Sequence, residues 1–430
     1  MKTGKRIAII HDQRSQMNIT LLTYGSRGDV EPFLALADAL TASGWQVHLA
    51  APEVYHSLLS NPHIRFTGLP GSPSEIVRRL EHVSGRGLHR TIGTMMDFVQ
   101  PIAIEVLEKS RLASADADVL VHSFLLTIAG SEIAREREIP HLSAQFFPVF
   151  APTSSFSAPN MPGLPAGVLS LLSHGLLSRI FWHGSRLAYR RLQRSHSGLR
   201  DLTSWPFAAR NPSPPPLLFA FSPQVIPRPH DWGRHVHITG YWINEQLPDF
   251  HPAPGLMRFL DAGPPPVCLG AGSSSNKTTA RLARAFVHAC RTMGMRGVVV
   301  GGNTLEDLPD SILQIDPLPY SWLFPRCAAV VHHGGAGTTA AALRAGIPNV
   351  VLPITSDQPF WARRVHALGA GPAPIPAGRV TPEKLASSLH TALTDTDIRR
   401  KAARLGRSLR KENGVQRAVE WIESTVLHNA

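Results

Sequence analysis

The chain has 430 residues, more than a single hydrophobic core usually supports, so its length predicts two domains. Hydrophobic residues make up 43% of it, as in ordinary soluble globular proteins. The formal net charge of +12 would suit a nucleic-acid-binding protein, but the arginines follow helical stretches such as "IRRKAARLGRSLRKE" without interleaved aromatic residues. We therefore expect no nucleic-acid partner and a solvated basic face, with an anionic substrate or membrane surface as the alternative.

Cysteine usage and the N-terminus bear on the cellular compartment. Cys268, Cys290 and Cys327 are too few and too scattered for a disulfide framework or a zinc site, which predicts reduced thiols in a cytoplasmic protein. The apolar stretch in "MKTGKRIAIIHDQ" is too short for a signal peptide. We interpret residues 1–16 as an extension before the first strand.

Strand and helix patterns alternate from residue 17 onwards, which is typical of α/β proteins with parallel sheets. The strand "NITLLTY" is followed by the loop "GSRGD", by a helix that opens near Pro32 and ends at Gly44, and by the strand "QVHLAAP". Proline in the first helical turn and glycine just past the last are the usual punctuation of a helix. The pattern returns with "DADVLVHSF", "TIAGSEIAREREIP" and "HLSAQFF".

The middle of the chain is apolar and proline-rich. Residues 148–165 are predicted to form a loop, and residues 166–210 are predicted to be helical. The stretch 164–182, "LPAGVLSLLSHGLLSRIFW", is interrupted by His174, Arg179 and serines and falls short of a membrane span. It predicts an amphipathic helix or the wall of an apolar pocket. Docking on a membrane surface is the alternative, so a peripheral membrane location stays open.

A second α/β series follows a linker. Residues 246–262 are the linker candidate, and the strands and helices from "VCLGAGS" to "PNVVLPI" place a second domain at 263–410. The helix "GVQRAVEWIESTVL", within 411–430, remains after that series is complete. The first domain then spans 17–245.

The turn in "VVHHGGAGTTAAALRAG" crowds three glycines between a strand and a helix. Such a turn lets backbone N–H groups close on an anion, while the helix N-terminus adds about half a positive charge. His333 is placed to donate to a phosphate oxygen, and Thr338 adds a hydroxyl. Taken alone, the glycines fit a structural turn as well as a phosphate site.

The loop "GSRGD" has a different character, because Asp29 at the helix start would repel a phosphate. A helix N-terminus stabilises an ionised carboxylate, which makes Asp29 a ready proton acceptor. Aspartate is also favoured as a simple capping residue. Both interpretations stay open from the loop alone.

Together these motifs resemble a known family. "VVHHGGAGTTAAALRAGIPNVVLPITSDQPFWARRV" resembles the donor-site signature of GT-B fold, nucleotide-sugar-dependent glycosyltransferases, the family that holds sterol, plant-metabolite and antibiotic glycosyltransferases. "TYGSRGDVEPFLALADAL" resembles the N-terminal motif of the sterol and antibiotic branch, and "SWLFPR" and "HDWGRHVHITGYW" fit its sterol-like members. The resemblance implies two Rossmann-like domains that face each other across a cleft. The first would bind the acceptor and the second the nucleotide-sugar, with helix 411–430 packing back on the first.

The resemblance also implies roles for individual residues. Asp357 and Gln358 match the pair that hydrogen-bonds the donor sugar. The positions that hold the donor diphosphate are matched by Ser273, His333, Gly335, Ala336, Gly337 and Thr338. This arrangement needs no essential metal or other cofactor, and no carboxylate cluster in the sequence indicates a metal.

The nucleoside is left open by the family pattern. Ile315 and Ala341 stand where plant members place a base-stacking tryptophan and a ribose-binding glutamate. The donor is therefore a UDP-sugar or a dTDP-sugar. Trp322 is a candidate for the base contact, with a core role as the alternative.

Asp29 falls where the antibiotic enzymes place their base, so the resemblance implies inverting transfer of a hexose to a lipophilic hydroxyl compound. Ser26 and Arg27 are further candidates in the same loop. His122, in "VLVHSF", is a candidate relay or a core histidine. The alternatives for the whole chain are a nucleotide-sugar epimerase and a non-catalytic nucleotide-sugar-binding protein. A monomer and a homodimer are both compatible with the sequence.

Overall fold

The computed structural model describes residues 17–73, 102–159, 161, 163–195, 201–202, 205–208, 211–244, 250–270 and 277–427. The predicted extension 1–16 lies outside these residues. The chain divides into two compact units. Unit 1 comprises Met1–Phe221, Arg228–Asn244 and Asn413–Ala430, and unit 2 comprises Ser222–Pro227 and Glu245–Glu412.

Unit 1 is built on a parallel sheet of seven strands in the order β3-β2-β1-β4-β5-β6-β7. Its strands are β1 (Asn18–Leu22), β2 (Gln46–Pro52), β3 (Arg65–Leu69), β4 (Val119–His122), β5 (His141–Gln145), β6 (Leu217–Phe219) and β7 (Val236–Ile238). Strands β1 and β4 are almost entirely buried, as expected where helices cover both faces of a parallel sheet.

Unit 2 is built on a five-stranded parallel sheet in the order β10-β9-β8-β11-β12. Its strands are β8 (Val267–Gly270), β9 (Gly297–Val300), β10 (Ile312–Ile315), β11 (Ala329–His332) and β12 (Asn349–Val351). The order reverses between β8 and β11, and in open α/β sheets ligands bind beyond the carboxyl ends of the strands at such a reversal. The predicted α/β class with two Rossmann-like domains is confirmed.

Helices connect the strands of both sheets. They are α1 (Arg27–Ala42), α2 (Thr127–Arg137), α3 (Val168–Ser195), α4 (Pro254–Asp261), α5 (Lys277–Thr292), α6 (Ala336–Ala345), α7 (Gln358–Ala367), α8 (Pro382–Thr394), α9 (Thr396–Leu409) and α10 (Gly414–Leu427). Residues 102–113 are also helical, and Tyr320–Leu323 forms a single helical turn. Among the described residues, no helix is long and apolar enough to cross a membrane.

The last helix returns to unit 1. Helix α10 contacts α1, and Gly414 at its start lies against the backbone of unit 1. A Cβ on Gly414 would lie 2.4 Å from the carbonyl oxygen of Tyr241 and 2.5 Å from the carbonyl carbon of Gly240. Only glycine allows so close an approach of two backbone segments.

We expect Gly414→Ala to destabilise unit 1 by about 1–3 kcal/mol, because the added methyl group has no room against a rigid backbone. Gly175→Ala is the control, since a Cβ at Gly175, inside α3, meets no atom within 4 Å. The control should be neutral or stabilising by about 0.5–1 kcal/mol. Urea unfolding followed by circular dichroism measures both, and an unchanged midpoint for Gly414→Ala would show that α10 is not anchored there.

Candidate active site

The glycine turn of unit 2 joins β11 to α6. Gly334 has φ +91°, which other residues rarely adopt, and Gly335 is the N-cap of α6. A Cβ on Gly334 would lie 2.9 Å from Val351 Cγ1 and 3.1 Å from the carbonyl oxygen of Gln358. The turn is therefore pressed against β12 and the start of α7. Bare backbone is required at this position for both conformation and space.

A buried histidine holds this turn in place. His332 Nδ1 accepts a hydrogen bond from the Gly334 N–H at 3.2 Å, and Nε2 pairs with Asn349 Oδ1 at 3.1 Å. This pattern assigns the proton to Nε2, so the imidazole is neutral. Burial first and then the neighbouring His333 lower the pKa of His332, and the bond to Asn349 opposes them, with a resulting pKa of about 3. Sequence reasoning singled out His333 and missed His332.

His333 follows at the lip of the turn. Burial lowers its pKa to about 4, so its imidazole is also neutral near pH 7. Its Nδ1 is buried and has no hydrogen-bond partner among the described residues. A Cβ on Gly335 would come within 2.5 Å of Nε2, which explains the second glycine. A buried polar atom without a partner in native proteins usually marks a place that a ligand or water completes.

The N-terminus of α6 is open. No side chain of the described residues caps it, and Gly335, Ala336 and Gly337 bring little side-chain bulk to its first turn. The hydroxyl of Thr338 lies one residue further and is partly exposed. Unpaired N–H groups and the helix dipole together make a helix start of this kind an anion site. The predicted contact Ser273 lies outside the described residues.

Asp357 and Gln358 lie at the start of α7, beside the same turn. Ser356, just before them, has φ +61°, a conformation that non-glycine residues adopt at a cost. Asp357 Oδ2 accepts from Trp361 Nε1 at 2.9 Å. Gln358 Oε1 accepts from the backbone N–H of Ile354 at 2.8 Å, which leaves its amide nitrogen as the group available to donate. The structure thus brings the turn and this pair together at one end of the sheet.

Trp322 has a packing role in unit 2. The Arg326 guanidinium lies 4.2 Å from the centre of its ring, and Phe250 meets it edge-on at 5.4 Å. Ile315 and Ala341 pack against the same hydrophobic cluster as Trp322. Ile315 and Ala341, the two positions that the resemblance aligned with nucleoside contacts, are therefore part of the packing around this cluster.

Asp29 of unit 1 sits in a capping box at the start of α1. Its Oδ2 accepts from the backbone N–H of Ser26 at 2.7 Å and from the Ser26 hydroxyl at 2.8 Å. A Cβ on Gly25, which has φ +146°, would lie 2.4 Å from the same oxygen. Burial raises the pKa of Asp29, and the two bonds from Ser26 lower it in part. The carboxylate is thus held in one position and made more basic than in water.

Two neighbours of Asp29 differ in what they contribute. The side chain of Arg27 pairs with Glu31 at 2.7 Å on the exposed side of α1. Burial raises the pKa of the Tyr55 phenol, and the charge of Asp29 raises it further, which places this hydroxyl in the field of the carboxylate. Tyr55 lies in the 3₁₀ segment Glu53–Leu58 after β2, far from the "GSRGD" motif in sequence. No local pattern could have indicated it.

His122 pairs with another histidine. Its Nε2 lies 3.1 Å from His141 Nδ1, and a Cβ on Gly130 of α2 would come within 2.5 Å of its ring. Burial, followed by the proximity of His141, lowers the pKa of His122 well below its usual value. Among the described residues, no hydrogen bond joins His122 to Asp29. The contacts are those of a core histidine.

An aromatic cluster follows the carboxyl ends of β4 and β5 in unit 1. Its centre is Phe150, a buried residue with φ +63°. Four rings lie within 5.5 Å of it, centre to centre: Phe124, Phe181, Trp205 and Phe207. Phe124 and Phe181 are partly exposed, so the cluster reaches the surface of the unit. Such an apolar surface at the carboxyl end of parallel strands suits a lipophilic ligand.

The part of the chain that the structure describes contains no candidate metal site. No group of three or more histidine, cysteine, aspartate or glutamate side chains is arranged there to hold a metal ion.

The motifs of both units match known domains. Residues 19–151 match the glycosyltransferase family 28 N-terminal domain, and residues 299–417 match the erythromycin biosynthesis protein CIII-like C-terminal domain. Over 425 residues the chain is 36% identical to O-mycaminosyltylonolide 6-deoxyallosyltransferase of Streptomyces fradiae, covering 95% of this chain and 98% of that one. The chain therefore belongs to this family of glycosyltransferases.

Other relatives and structures agree with this assignment. A sterol 3-beta-glucosyltransferase of Arabidopsis thaliana is 30% identical over 94% of this chain, which spans 65% of that enzyme's length. The glycotransferase of kitacinnamycin has a similar fold, with a TM-score of 0.69, 20% identity and coverage of 95% and 98% of the two chains. The glycosyltransferase VinC, in complex with dTDP, gives a TM-score of 0.64 at 18% identity, with coverage of 96% and 100%. The predicted GT-B fold and glycosyltransferase activity with a nucleotide-sugar donor are confirmed.

The low pKa values of His332 and His333 predict a pH dependence of stability. Unfolded histidine titrates at about 6.5, whereas the folded pKa values are about 3 and about 4. Between these limits the unfolded chain binds more protons, so stability should fall as the pH is lowered from about 6.5 towards 4. His333→Ala removes one of these protons and should make the fall shallower. Urea midpoints at several pH values measure this, and a midpoint that rises with acid would contradict it.

Proposed function

We propose that the protein is an inverting glycosyltransferase that moves a hexose from a UDP-sugar or dTDP-sugar to a hydroxyl of a lipophilic acceptor. The observation that carries this proposal is the pairing of two features. One is an open, glycine-lined helix start beside the unpartnered Nδ1 of His333, and the other is a partly buried carboxylate, Asp29, in a fixed position. The first suits a diphosphate and the second a proton acceptor.

On the donor side, the diphosphate would bind at residues 333–338. Backbone N–H groups of the first turn of α6 would donate to phosphate oxygens, and the neutral His333 would add one N–H. As the bond to the sugar breaks, negative charge grows on the diphosphate, and the helix dipole and these donors stabilise it. Asp357 and the Gln358 amide would bind the sugar hydroxyls. Ser273 would add a phosphate contact, as the family pattern implies.

On the acceptor side, Asp29 would act as the general base. Its carboxylate takes the proton of the acceptor hydroxyl, and the resulting oxygen attacks the anomeric carbon. The bond from that carbon to the phosphate oxygen breaks, the configuration inverts, and the nucleoside diphosphate leaves. The raised pKa of Asp29 strengthens it as a base. His122 has no part in this scheme, because it pairs with His141.

The acceptor would be a lipophilic alcohol or phenol such as a sterol, triterpenoid or polyketide. The aromatic cluster around Phe150 supports this class, since it offers exposed apolar rings near the ends of β4 and β5. The relatives' names point the same way, to a tylonolide derivative and to sterols.

An epimerase would need no acceptor, so an assay of donor with and without an alcohol panel separates the two functions. A protein that only binds nucleotide-sugar would yield no product in either.

We expect Asp29→Asn to lower turnover by about 10²–10⁴-fold, because the amide keeps the shape and the acceptor for the Ser26 bonds but cannot take a proton. Donor affinity and melting temperature should stay near wild type. Glu31→Gln is the matched control, since it removes a carboxylate two residues further along α1, on the exposed side of the helix. Wild-type turnover in Asp29→Asn would rule out Asp29 as the base. If His122→Ala then abolished turnover, His122 would be the base instead.

We expect Asp357→Ala to weaken binding of the nucleotide-sugar much more than binding of the bare nucleoside diphosphate, because in this proposal the sugar is the part of the donor that the carboxylate contacts. The lost hydrogen bonds would correspond to about 1–3 kcal/mol. Asp357→Asn keeps an acceptor for Trp361 Nε1 and serves as the structural control. Calorimetry with both ligands measures the difference. Equal losses for the two ligands would mean that Asp357 only supports α7.

A further inference from the structure

The first half of helix α3 buries polar side chains and exposes apolar ones. Ser170, Ser173 and His174 are buried, with exposures of 0%, 5% and 2%. The apolar side chains around them point outwards instead. The sequence predicted an amphipathic helix or a pocket wall for residues 164–182, with membrane docking as the alternative. In the structure most of the leucines of this stretch lie on the exposed face. His174, Phe181 and Trp182 make aromatic contacts on the inner side.

Hydrogen bonds on the buried side fix this orientation. The Ser170 hydroxyl donates to the Pro165 carbonyl at 2.8 Å, the Ser173 hydroxyl accepts from the Ala158 N–H at 2.9 Å, and His174 Nε2 bonds the Phe156 carbonyl at 3.0 Å. Rotating the helix to bury its leucines would break these bonds and leave buried polar groups unpaired, which costs more than the bonds themselves contribute. The leucines are therefore held outwards.

The exposed apolar side chains of unit 1 are concentrated on α3. Of the ten large apolar side chains that are most exposed among the described residues, seven lie on α3, with exposures of 43% to 72%. They are Val168, Leu169, Leu171, Leu172, Leu176, Ile180 and Leu187. Single exposed leucines are normal, but a cluster of exposed apolar side chains on a soluble protein marks an interaction surface for a protein, a membrane or a ligand.

The charge of α3 indicates which kind of partner this exposed face binds. Helix α3 contains five arginines and no aspartate or glutamate. The outward stripe continues from Leu187 to the exposed Arg190 and Arg194 at a spacing of three and four residues. A second copy of the helix would offer these arginines no acidic partner. An anionic lipid surface offers both phosphate groups for the arginines and acyl chains for the leucines.

We propose that α3 is a membrane-docking helix that lies in the plane of an anionic lipid surface, with its leucines among the acyl chains and the arginines near its C-terminus, Arg190 and Arg194, at the phosphate groups. This goes beyond the proposed glycosyl transfer and does not depend on it. Where both hold, the aromatic cluster that contains Phe181 lies directly behind the docking helix, and a lipophilic acceptor dissolved in the membrane would reach it without crossing water.

The test uses the full chain and lipid vesicles. Co-sedimentation is measured with vesicles of phosphatidylcholine alone and with vesicles that contain roughly one third phosphatidylglycerol. The wild-type protein should bind the anionic vesicles. The variant L169S/L172S/L176S should bind at least about tenfold less, because it removes apolar contact area. R190Q/R194Q should lose most of the preference for anionic lipid.

Two control variants separate the docking face from the rest of the surface. L112S removes an equally exposed leucine outside α3, and R404Q/R407Q removes two exposed arginines of α9 in unit 2. Both should bind as the wild type does. Because the three leucines are exposed, their replacement should leave the melting temperature and donor binding unchanged, so failure of docking and failure of the donor site are distinguishable.

Three outcomes would overturn the proposal. The first is a wild-type protein that stays in solution with every vesicle. The second is undiminished vesicle binding by the leucine variant. The third is a wild-type dimer that the leucine variant converts to a monomer in sedimentation velocity, without vesicle binding, which would make this face an interface between two copies of the chain.

Discussion

The glycine turn between β11 and α6 depends on one uncharged side chain, the imidazole of His332. It can accept from the Gly334 N–H and donate to Asn349 at the same time only while it carries a single proton. Burial at the end of β11 enforces that state by lowering its pKa to about 3. The clamp fixes Gly334 in its left-handed conformation, which in turn sets the position of His333 and the open start of α6. A diphosphate site that needs several N–H groups to converge requires this preorganisation.

In unit 1 the group that is held at a helix start is a carboxylate, that of Asp29, instead of a set of N–H donors. Here Gly25 leaves room for a carboxylate, and Ser26 holds that carboxylate by two hydrogen bonds at the start of α1. The same bonds that cap the helix also orient the proposed base, so capping and catalysis are not competing explanations of Asp29. Burial raises the pKa of Asp29 and the Ser26 bonds lower it in part, which leaves the carboxylate more basic than one in water.

Local features were predictable from the sequence, and long-range ones were not. Glycine punctuation located the ends of α1 and α6, but α1 begins at Arg27, before the predicted start near Pro32, which lies inside the helix. The family motifs singled out Asp29, His333 and Asp357. The partners of these residues come from distant segments: Asn349 reaches His332 from the next strand, and Tyr55 reaches the field of Asp29 from beyond β2. The apolar pattern of α3 gave the helix but not its orientation, because serine and histidine bonds to the preceding loop decide which face is buried.

The most direct test of the account is calorimetry of UDP and dTDP binding to His333→Ala, with His390→Ala, which replaces an exposed histidine of α8, as the control. Loss of the His333 N–H should weaken binding of at least one of the two nucleotides by about 1–3 kcal/mol, the range for a hydrogen bond to a charged group. The control should bind like the wild type. Undiminished affinity of His333→Ala for both nucleotides would contradict the assignment of the donor diphosphate to this turn.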